Sequence, residues 1–145
     1  MQFLVCDRRT IEAGIIVRSA YVLISIRDPD KPPVQIRHSA GLRDILSLEF
    51  HDAEPIEGSQ LPDRIRLMQA GDAERIWEFV QRYRDQVGAI VCHCEQGMSR
   101  SPAIAIALAE ALGGDADRIR AEFQPNQYIY ELLRDTIAAS RGSET

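Results

Sequence analysis

The chain has 145 residues, of which 45% are hydrophobic and 27% are charged, and its formal net charge at pH 7 is −5. This length suits one hydrophobic core, so we expect a single domain over residues 1–145. The negative charge disfavours nucleic acid and anionic membranes as partners, and no apolar run approaches the ~20 residues that span a bilayer.

The chain contains three cysteines, and its first apolar run has neither the basic region nor the cleavage site of a secretory signal. An odd number of cysteines without an export signal favours reduced thiols over a disulfide framework. We therefore expect a cytoplasmic protein.

In chain order, the apolar patterning predicts a strand over residues 3–6, one or two helical turns over 8–14, and strands over 21–26 and 45–50. It then predicts a helix over 72–86 with Asp72 as a candidate N-cap, a strand over 89–93, and helices over 102–112, 115–123 and 126–139. Residues 141–145 are expected to fray. Strands early and helices late in the chain imply a sheet with helices packed on both faces.

The stretch over residues 89–102 has the pattern of a strand, a tight loop and the start of a helix. Cys94 ends the strand, and Arg100 follows six positions later. If the loop closes, the backbone N–H groups of residues 95–100 point inward around a space the size of a phosphate, and the helix N-terminus adds a partial positive charge. This pattern predicts a site for a dianion with a thiol at its floor.

Several residues of this loop have a clear use in nucleophilic phosphate chemistry. The N–H dipoles and the nearby Arg100 would stabilise the thiolate of Cys94, which is the nucleophilic form. The planar guanidinium of Arg100 can also hold two oxygens of a phosphoryl group. Gly97 allows a tight turn, and the hydroxyl of Ser101 could donate to the sulfur when it acts as a leaving group.

The run from His93 to Ser101 reads His-Cys-Glu-Gln-Gly-Met-Ser-Arg-Ser. It resembles the signature of the cysteine-dependent protein tyrosine phosphatases, most closely the small dual-specificity-like branch, whose pattern is His-Cys-x-x-Gly-x-Ser-Arg-Ser. Pro125 and Asn126, followed by Leu132 and Leu133, are a weaker similarity to that branch. The resemblance implies a single compact α/β domain with a central mixed sheet flanked by helices on both faces, a phosphocysteine intermediate, and neither metal nor other cofactor.

The resembling family also uses an aspartic acid, on a loop after a strand, to protonate the leaving oxygen and later to activate water. Asp63 lies 31 residues before Cys94, which is the separation typical of the family, but it does not follow a predicted strand. Asp52 directly follows the strand over residues 45–50, where the family places the acid. We therefore favour Asp52 and keep Asp63 as the alternative.

The other residues of the run have supporting roles in this hypothesis. The backbone N–H groups of Glu95, Gln96, Gly97, Met98, Ser99 and Arg100 form the phosphate-binding loop. The side chains of Glu95 and Gln96 are expected at the rim. His93 would lie on the opposite side of the strand from Cys94, so we expect it to hold the loop by a hydrogen bond rather than act as a base. Asn126 is expected to cap its helix, and in the resembling family this residue helps to order the loop.

Cys92, His93 and Cys94 are close in sequence but do not predict a zinc site, because such sites usually bring a second pair of ligands at recognisable spacing. Cys92 is expected in the core. Whether Cys6 or Cys92 forms a protective disulfide with Cys94 stays open at this point.

The sequence therefore predicts a phosphatase acting on phosphotyrosine, with phosphoserine and phosphothreonine as further candidates, in a phosphorylated protein or a small phosphomonoester. The acidic Glu95 and the neutral Gln96 argue against polyanionic substrates. Two alternatives are a phosphate-binding pseudophosphatase module and a rhodanese-like sulfurtransferase. The physiological substrate and the oligomeric state stay open.

Overall fold

The computed structural model describes residues 1–37 and 39–142. These ranges contain four strands and five helices. They are β1 (Gln2–Asp7), α1 (Arg8–Ala13), β2 (Tyr21–Arg27), β3 (Leu42–Glu49), α2 (Ala70–Tyr83), β4 (Ala89–Cys94), α3 (Arg100–Leu112), α4 (Ala116–Glu122) and α5 (Gln127–Gly142). Each predicted element is present, although several ends are shifted. Of the tail expected to fray, Arg141 and Gly142 belong to α5, and residues 143–145 lie outside the described residues. No helix within these ranges is long and apolar enough to cross a membrane.

The four strands form one sheet in the order β1-β4-β2-β3. All three pairings between neighbouring strands are parallel. The predicted α/β fold is confirmed, but the predicted mixed sheet is wrong, because each strand reaches the next through a crossover connection rather than a hairpin. A parallel arrangement brings the carboxyl ends of all four strands to one edge, where open α/β sheets bind their ligands.

Helices cover both faces of this sheet, as predicted. Successive residues of a strand point to opposite faces, so each strand contributes to two cores. Val22 and Ile24 belong to the larger cluster, which α2, α3, α4 and α5 cover. Tyr21 and Leu23 belong to a smaller cluster with Ile11 of α1. β4 is buried along its whole length, because it lies between β1 and β2.

α3 is buried from Arg100 through Ala109. Its many alanines allow close packing against β4 on one side and α5 on the other. The helix ends at Leu112, and its C-cap is Gly113, whose φ of 78° is the left-handed conformation favoured by glycine. Because this part of the helix is buried, its first residues, Arg100 and Ser101, are held firmly beside the end of β4.

The N-terminus of α2 differs from the prediction. The helix begins at Ala70, and its N-cap is Gln69 rather than Asp72. The N–H of Gln69 donates to Oδ2 of Asp72 at 2.8 Å. The prediction of Asp72 as N-cap is therefore wrong. Asp72 lies in the first turn of the helix, and from there its carboxylate accepts a hydrogen bond from the backbone N–H of the N-cap residue.

Candidate active site

A cleft of about 320 Å³ opens at the carboxyl edge of the sheet. It is lined by Asp28, His51, Asp52, Ala53, Ile65, Cys94, Glu95, Gln96, Met98, Ser99 and Arg100. Asp28 follows β2, Asp52 follows β3, and Cys94 ends β4. Three parallel strands therefore each supply a polar residue to the same cleft.

The thiol of Cys94 lies at the junction between β4 and the loop that leads into α3. The N–H of Gly97 donates to Sγ at 3.2 Å, and Oγ of Ser101 lies 3.2 Å from the same sulfur. The sulfur therefore has an N–H donor and a hydroxyl within hydrogen-bond distance, and it lies beside the N-terminus of α3.

Gly97 is required by the geometry of the loop. Its φ of 68° is the left-handed conformation, and a Cβ built at this position would lie 2.7 Å from the carbonyl carbon of Cys6 and 2.8 Å from the N of Asp7. Both atoms are backbone and cannot easily move aside. The loop therefore packs directly against the end of β1, and only glycine fits there.

A second contact with the chain after β1 comes from Arg8, which the sequence analysis did not single out. Its Nη1 donates to Oε1 of Glu95 at 3.1 Å, and its own N–H donates to the carbonyl oxygen of Glu95 at 3.2 Å. Its Nη2 donates to the carbonyl oxygen of Pro32 at 2.8 Å. Arg8 thus links the loop between β4 and α3 to the segment after β2.

Arg100 is the one guanidinium lining the cleft among the described residues. Its Nη1 donates to Oδ1 of Asp28 at 2.6 Å and to the carbonyl oxygen of Phe50 at 2.7 Å. Asp28 was also missed by the sequence analysis. A signal was present, however, because Asp28 follows a buried strand just as Asp52 does.

Asp52 lines the cleft with Cys94, whereas Asp63 lines a separate neighbouring groove. The Oδ1 of Asp52 accepts hydrogen bonds from Oγ of Ser99 and Nδ2 of Asn126, each at 2.9 Å. The backbone N–H of Asn126 donates to the carbonyl oxygen of Ser99 at 3.1 Å. Asn126 also accepts a bond from the N–H of Ile129 at 3.0 Å, which caps the start of α5.

His93 lies on the opposite face of β4 from Cys94. Its Nε2 is 2.6 Å from Oγ of Ser25 on β2, and its Nδ1 is 3.4 Å from the carbonyl oxygen of Cys94. Burial lowers the pKa of His93 below its usual range. The first of these contacts ties β4 to β2, so His93 braces the strand that carries the nucleophile candidate.

The three cysteines are free thiols on different sides of the sheet. Cys92 lies in the larger core with Cys94, whereas Cys6 pairs in register with His93 and packs against the smaller core. Burial raises the pKa of Cys6 to about 12 and also raises that of Cys92. The alternation of faces keeps Cys92, His93 and Cys94 from converging on one metal ion.

No family model matches the chain, and no curated protein does. Human DUSP28 is similar in structure, with 17% identity and a TM-score of 0.61 over 97% of this chain and 94% of that one. A mouse putative dual specificity phosphatase, complexed with zinc tungstate, is 18% identical with a TM-score of 0.58 over 95% and 83%. The fold is that of the dual-specificity phosphatases. PTPMT1 in complex with PI(5)P is 14% identical, with a TM-score of 0.53 over 87% and 81%. The resemblance carried by residues 93–101 is thus confirmed at the level of the dual-specificity phosphatase fold.

Proposed function

We propose that the chain is a phosphatase that hydrolyses phosphotyrosine monoesters through a phosphocysteine intermediate. The observation that carries the proposal is that the thiol of Cys94, the guanidinium of Arg100 and the carboxylate of Asp52 line one cleft. These are the nucleophile, the oxygen clamp and the proton donor that phosphate ester cleavage needs. The similarity of the fold to dual-specificity phosphatases supports the same reaction class.

In the first step, the thiolate of Cys94 attacks phosphorus, and an S–P bond forms as the bond from phosphorus to the leaving oxygen breaks. Arg100 and the loop N–H groups hold the other three phosphate oxygens. Asp52 gives its proton to the leaving oxygen, which departs as a neutral hydroxyl group. Both bonds from Ser99 and Asn126 fall on Oδ1, so that among the described residues Oδ2 is left to carry this proton.

In the second step, a water molecule attacks phosphorus and passes a proton to the carboxylate of Asp52. The S–P bond breaks, inorganic phosphate leaves, and the thiolate is restored. Oγ of Ser101, 3.2 Å from Sγ, can donate a hydrogen bond to the departing sulfur. Asp52 is again protonated, so that the site is ready for another cycle.

Hydrolysis of p-nitrophenyl phosphate tests the reaction. We expect turnover in the presence of a chelator and its loss in Cys94→Ser. Tight vanadate binding without turnover by the wild-type protein would contradict the proposal and favour the phosphate-binding pseudophosphatase module.

The assignment of the acid is tested by comparing Asp52→Asn with Asp63→Asn. Removal of the acid should abolish the fall in kcat at high pH, since no proton donor then remains to be titrated. We expect this change in Asp52→Asn, with a loss of about 10²–10⁴-fold in kcat at the optimum. Asp63→Asn is the matched control, and unchanged kinetics in Asp52→Asn would contradict the assignment.

We infer a phosphorylated protein rather than a phosphoinositide as the substrate class. Asp28, Asp52 and Glu95 line the cleft, against a single guanidinium within the described residues. Two of these carboxylates, Asp28 and Glu95, already pair with the guanidiniums of Arg100 and Arg8, which leaves little positive charge in the cleft for a ligand that carries several phosphates. PTPMT1, which was solved with PI(5)P, therefore shares the fold without indicating the same substrate for this chain.

A further inference from the structure

A second groove, of about 610 Å³, adjoins the cleft on the side of the segment between β3 and α2. Ile65 lines both the cleft and the groove. The groove is otherwise lined in large part by apolar side chains, among them Ile56, Leu61, Pro62 and Leu67. Ile56 is 57% exposed, so its apolar surface is open to a ligand.

The wall of this groove is bonded to the residue next to Asp52. The N–H of His51 donates to the carbonyl oxygen of Arg66 at 2.8 Å, and the N–H of Arg66 donates to Nδ1 of His51 at 2.9 Å. Arg66 in turn forms an ion pair with Asp72 of α2, with an N···O distance of 3.6 Å. The groove is therefore held at a set position relative to the cleft.

Both ends of the segment are also tied to α5. At its start, Oε1 of Glu54 accepts from the N–H of Gln127 at 3.0 Å. At its end, the hydroxyl of Tyr128 donates to the carbonyl oxygen of Met68 at 2.7 Å. A segment anchored at both ends can offer a preformed surface, which lowers the entropy cost of binding.

We propose that this groove binds the residues next to the phosphorylated residue of a protein substrate, and that it selects a large apolar side chain there. The inference rests on the proposed phosphatase function. Because the groove is continuous with the cleft through Ile65, a chain whose phosphorylated residue enters the cleft meets the groove within a few residues. Its volume is about twice that of the cleft, so it has room for more than the phosphorylated side chain's immediate neighbour.

The charges around the groove favour a peptide over a lipid as the occupant. On the same segment Glu54, Glu57 and Asp63 are exposed carboxylate residues, and Arg64 and Arg66 are exposed guanidinium residues. The carboxylates outnumber the guanidiniums, so the segment lacks the basic cluster that binds an anionic bilayer or a phosphoinositide head group. Ser59 and Gln60, which also line the groove, can exchange hydrogen bonds with a peptide backbone.

The test uses phosphotyrosine peptides in which leucine or serine is placed at each of the positions flanking the phosphorylated residue. We expect the wild-type protein to prefer leucine over serine by about tenfold in kcat/KM at one or two positions, the range typical of an apolar side chain in a pocket. In Ile56→Ser combined with Leu61→Ser, the ratio of kcat/KM for the best peptide to kcat/KM for p-nitrophenyl phosphate should fall by about the same factor. Ile16→Ser is the matched control, since Ile16 is 96% exposed and does not line the groove. It should leave the ratio as in the wild type.

Several outcomes would overturn the inference. If the wild-type protein has no preference for leucine at any position, the inference is wrong, and this result does not depend on whether the double variant folds. The inference is also wrong if a folded double variant keeps the preference. It is wrong as well if a phosphoinositide in anionic vesicles is turned over faster than any peptide. In each of these cases, turnover of p-nitrophenyl phosphate would still support the proposed phosphatase function. If p-nitrophenyl phosphate is not turned over, both the proposed function and this inference are wrong.

Discussion

At the scale of single residues, the position of Arg100 depends on partners that lie far away in sequence. Nη1 is bonded to Asp28 after β2 and to the carbonyl oxygen of Phe50 after β3. These bonds hold the guanidinium plane in place, which would lower the loss of conformational freedom in the proposed binding of phosphate. Both bonds have a charged donor, and the bond to Asp28 is also an ion pair, so we expect it to be the stronger of the two.

Asp28→Asn should weaken this support. We expect kcat/KM for p-nitrophenyl phosphate to fall by about tenfold or more, because hydrogen bonds to charged groups contribute about 1.5–3 kcal/mol. Asp30→Asn is the matched control, since Asp30 is exposed and does not line the cleft. Inhibition by inorganic phosphate should weaken in parallel. Equal kinetics in the two variants would show that Arg100 does not need Asp28.

The three thiols should differ in reactivity towards iodoacetamide near neutral pH. We expect alkylation of Cys94 to exceed that of Cys6 and Cys92, because burial raises the pKa of Cys6 to about 12 and also raises that of Cys92. Tandem mass spectrometry of the digested protein locates the label, and vanadate should protect Cys94. Labelling of Cys6 at the same rate as Cys94 would contradict this prediction, and Cys94→Ser provides the unlabelled baseline.

At the scale of elements, the loop between β4 and α3 is fixed from outside as well as by its own bonds. Gly97 packs on the end of β1, Arg8 binds Glu95, and Asn126 at the start of α5 binds Ser99. The backbone N–H of Asn126 makes the bond to Ser99 and its side-chain amide binds Asp52, so the same residue connects the proton donor candidate to the loop. The geometry of the loop is therefore decided by three other segments of the chain.

Gly97→Ala tests this packing. The new Cβ would lie 2.7 Å from the backbone of Cys6, at a left-handed φ that costs a non-glycine residue about 1–2 kcal/mol. We expect kcat/KM for p-nitrophenyl phosphate to fall by more than tenfold, because the loop must shift. Gly71→Ala is the control, since Gly71 lies in α2 with nothing within 4 Å of an added Cβ. It should raise the free energy of unfolding by about 0.5–1 kcal/mol. Full activity in Gly97→Ala would contradict the argument.

At the scale of the whole molecule, β4 connects the stability of the fold to the site. It is buried between β1 and β2, and it carries Cys94 on one face and His93 on the other. A neutral His93 suits this enclosed position, since burial disfavours the charged form. Protonation of His93 therefore opposes folding of the sheet as a whole.

The free energy of unfolding should fall on acidification because of His93. Its pKa is lowered in the folded state from an ordinary value of 6.5, so the unfolded chain binds the extra proton first. The contribution of His93 to the free energy of unfolding is fully present above pH 6.5. It is lost as the pH falls from 6.5 towards the lowered pKa of the folded state. Urea unfolding at about pH 7.5 and about pH 5 measures the difference. In His93→Gln, the free energy of unfolding should differ less between these two pH values than in the wild type. An equal difference in the two proteins would contradict the prediction.

Much of the fold could be predicted from local patterns. Every strand and helix of the described residues was expected, because apolar spacing, prolines and glycines act within a few residues. Strand direction was not predictable in this way. The sheet is parallel throughout because of how the crossovers pack, and that depends on contacts between distant segments.

In the candidate site, too, some residues could be predicted from local sequence and others could not. The run from Cys94 to Ser101 is contiguous, so sequence alone determined which residues could form a phosphate-binding loop with a thiol and a guanidinium. Only the tertiary structure decided that Asp52 lines the cleft and Asp63 does not, and that Asp28 and Arg8 hold the loop's charged side chains. The physical reason is that these residues meet at the carboxyl edge of the sheet, and the order β1-β4-β2-β3 follows from the packing of the whole chain.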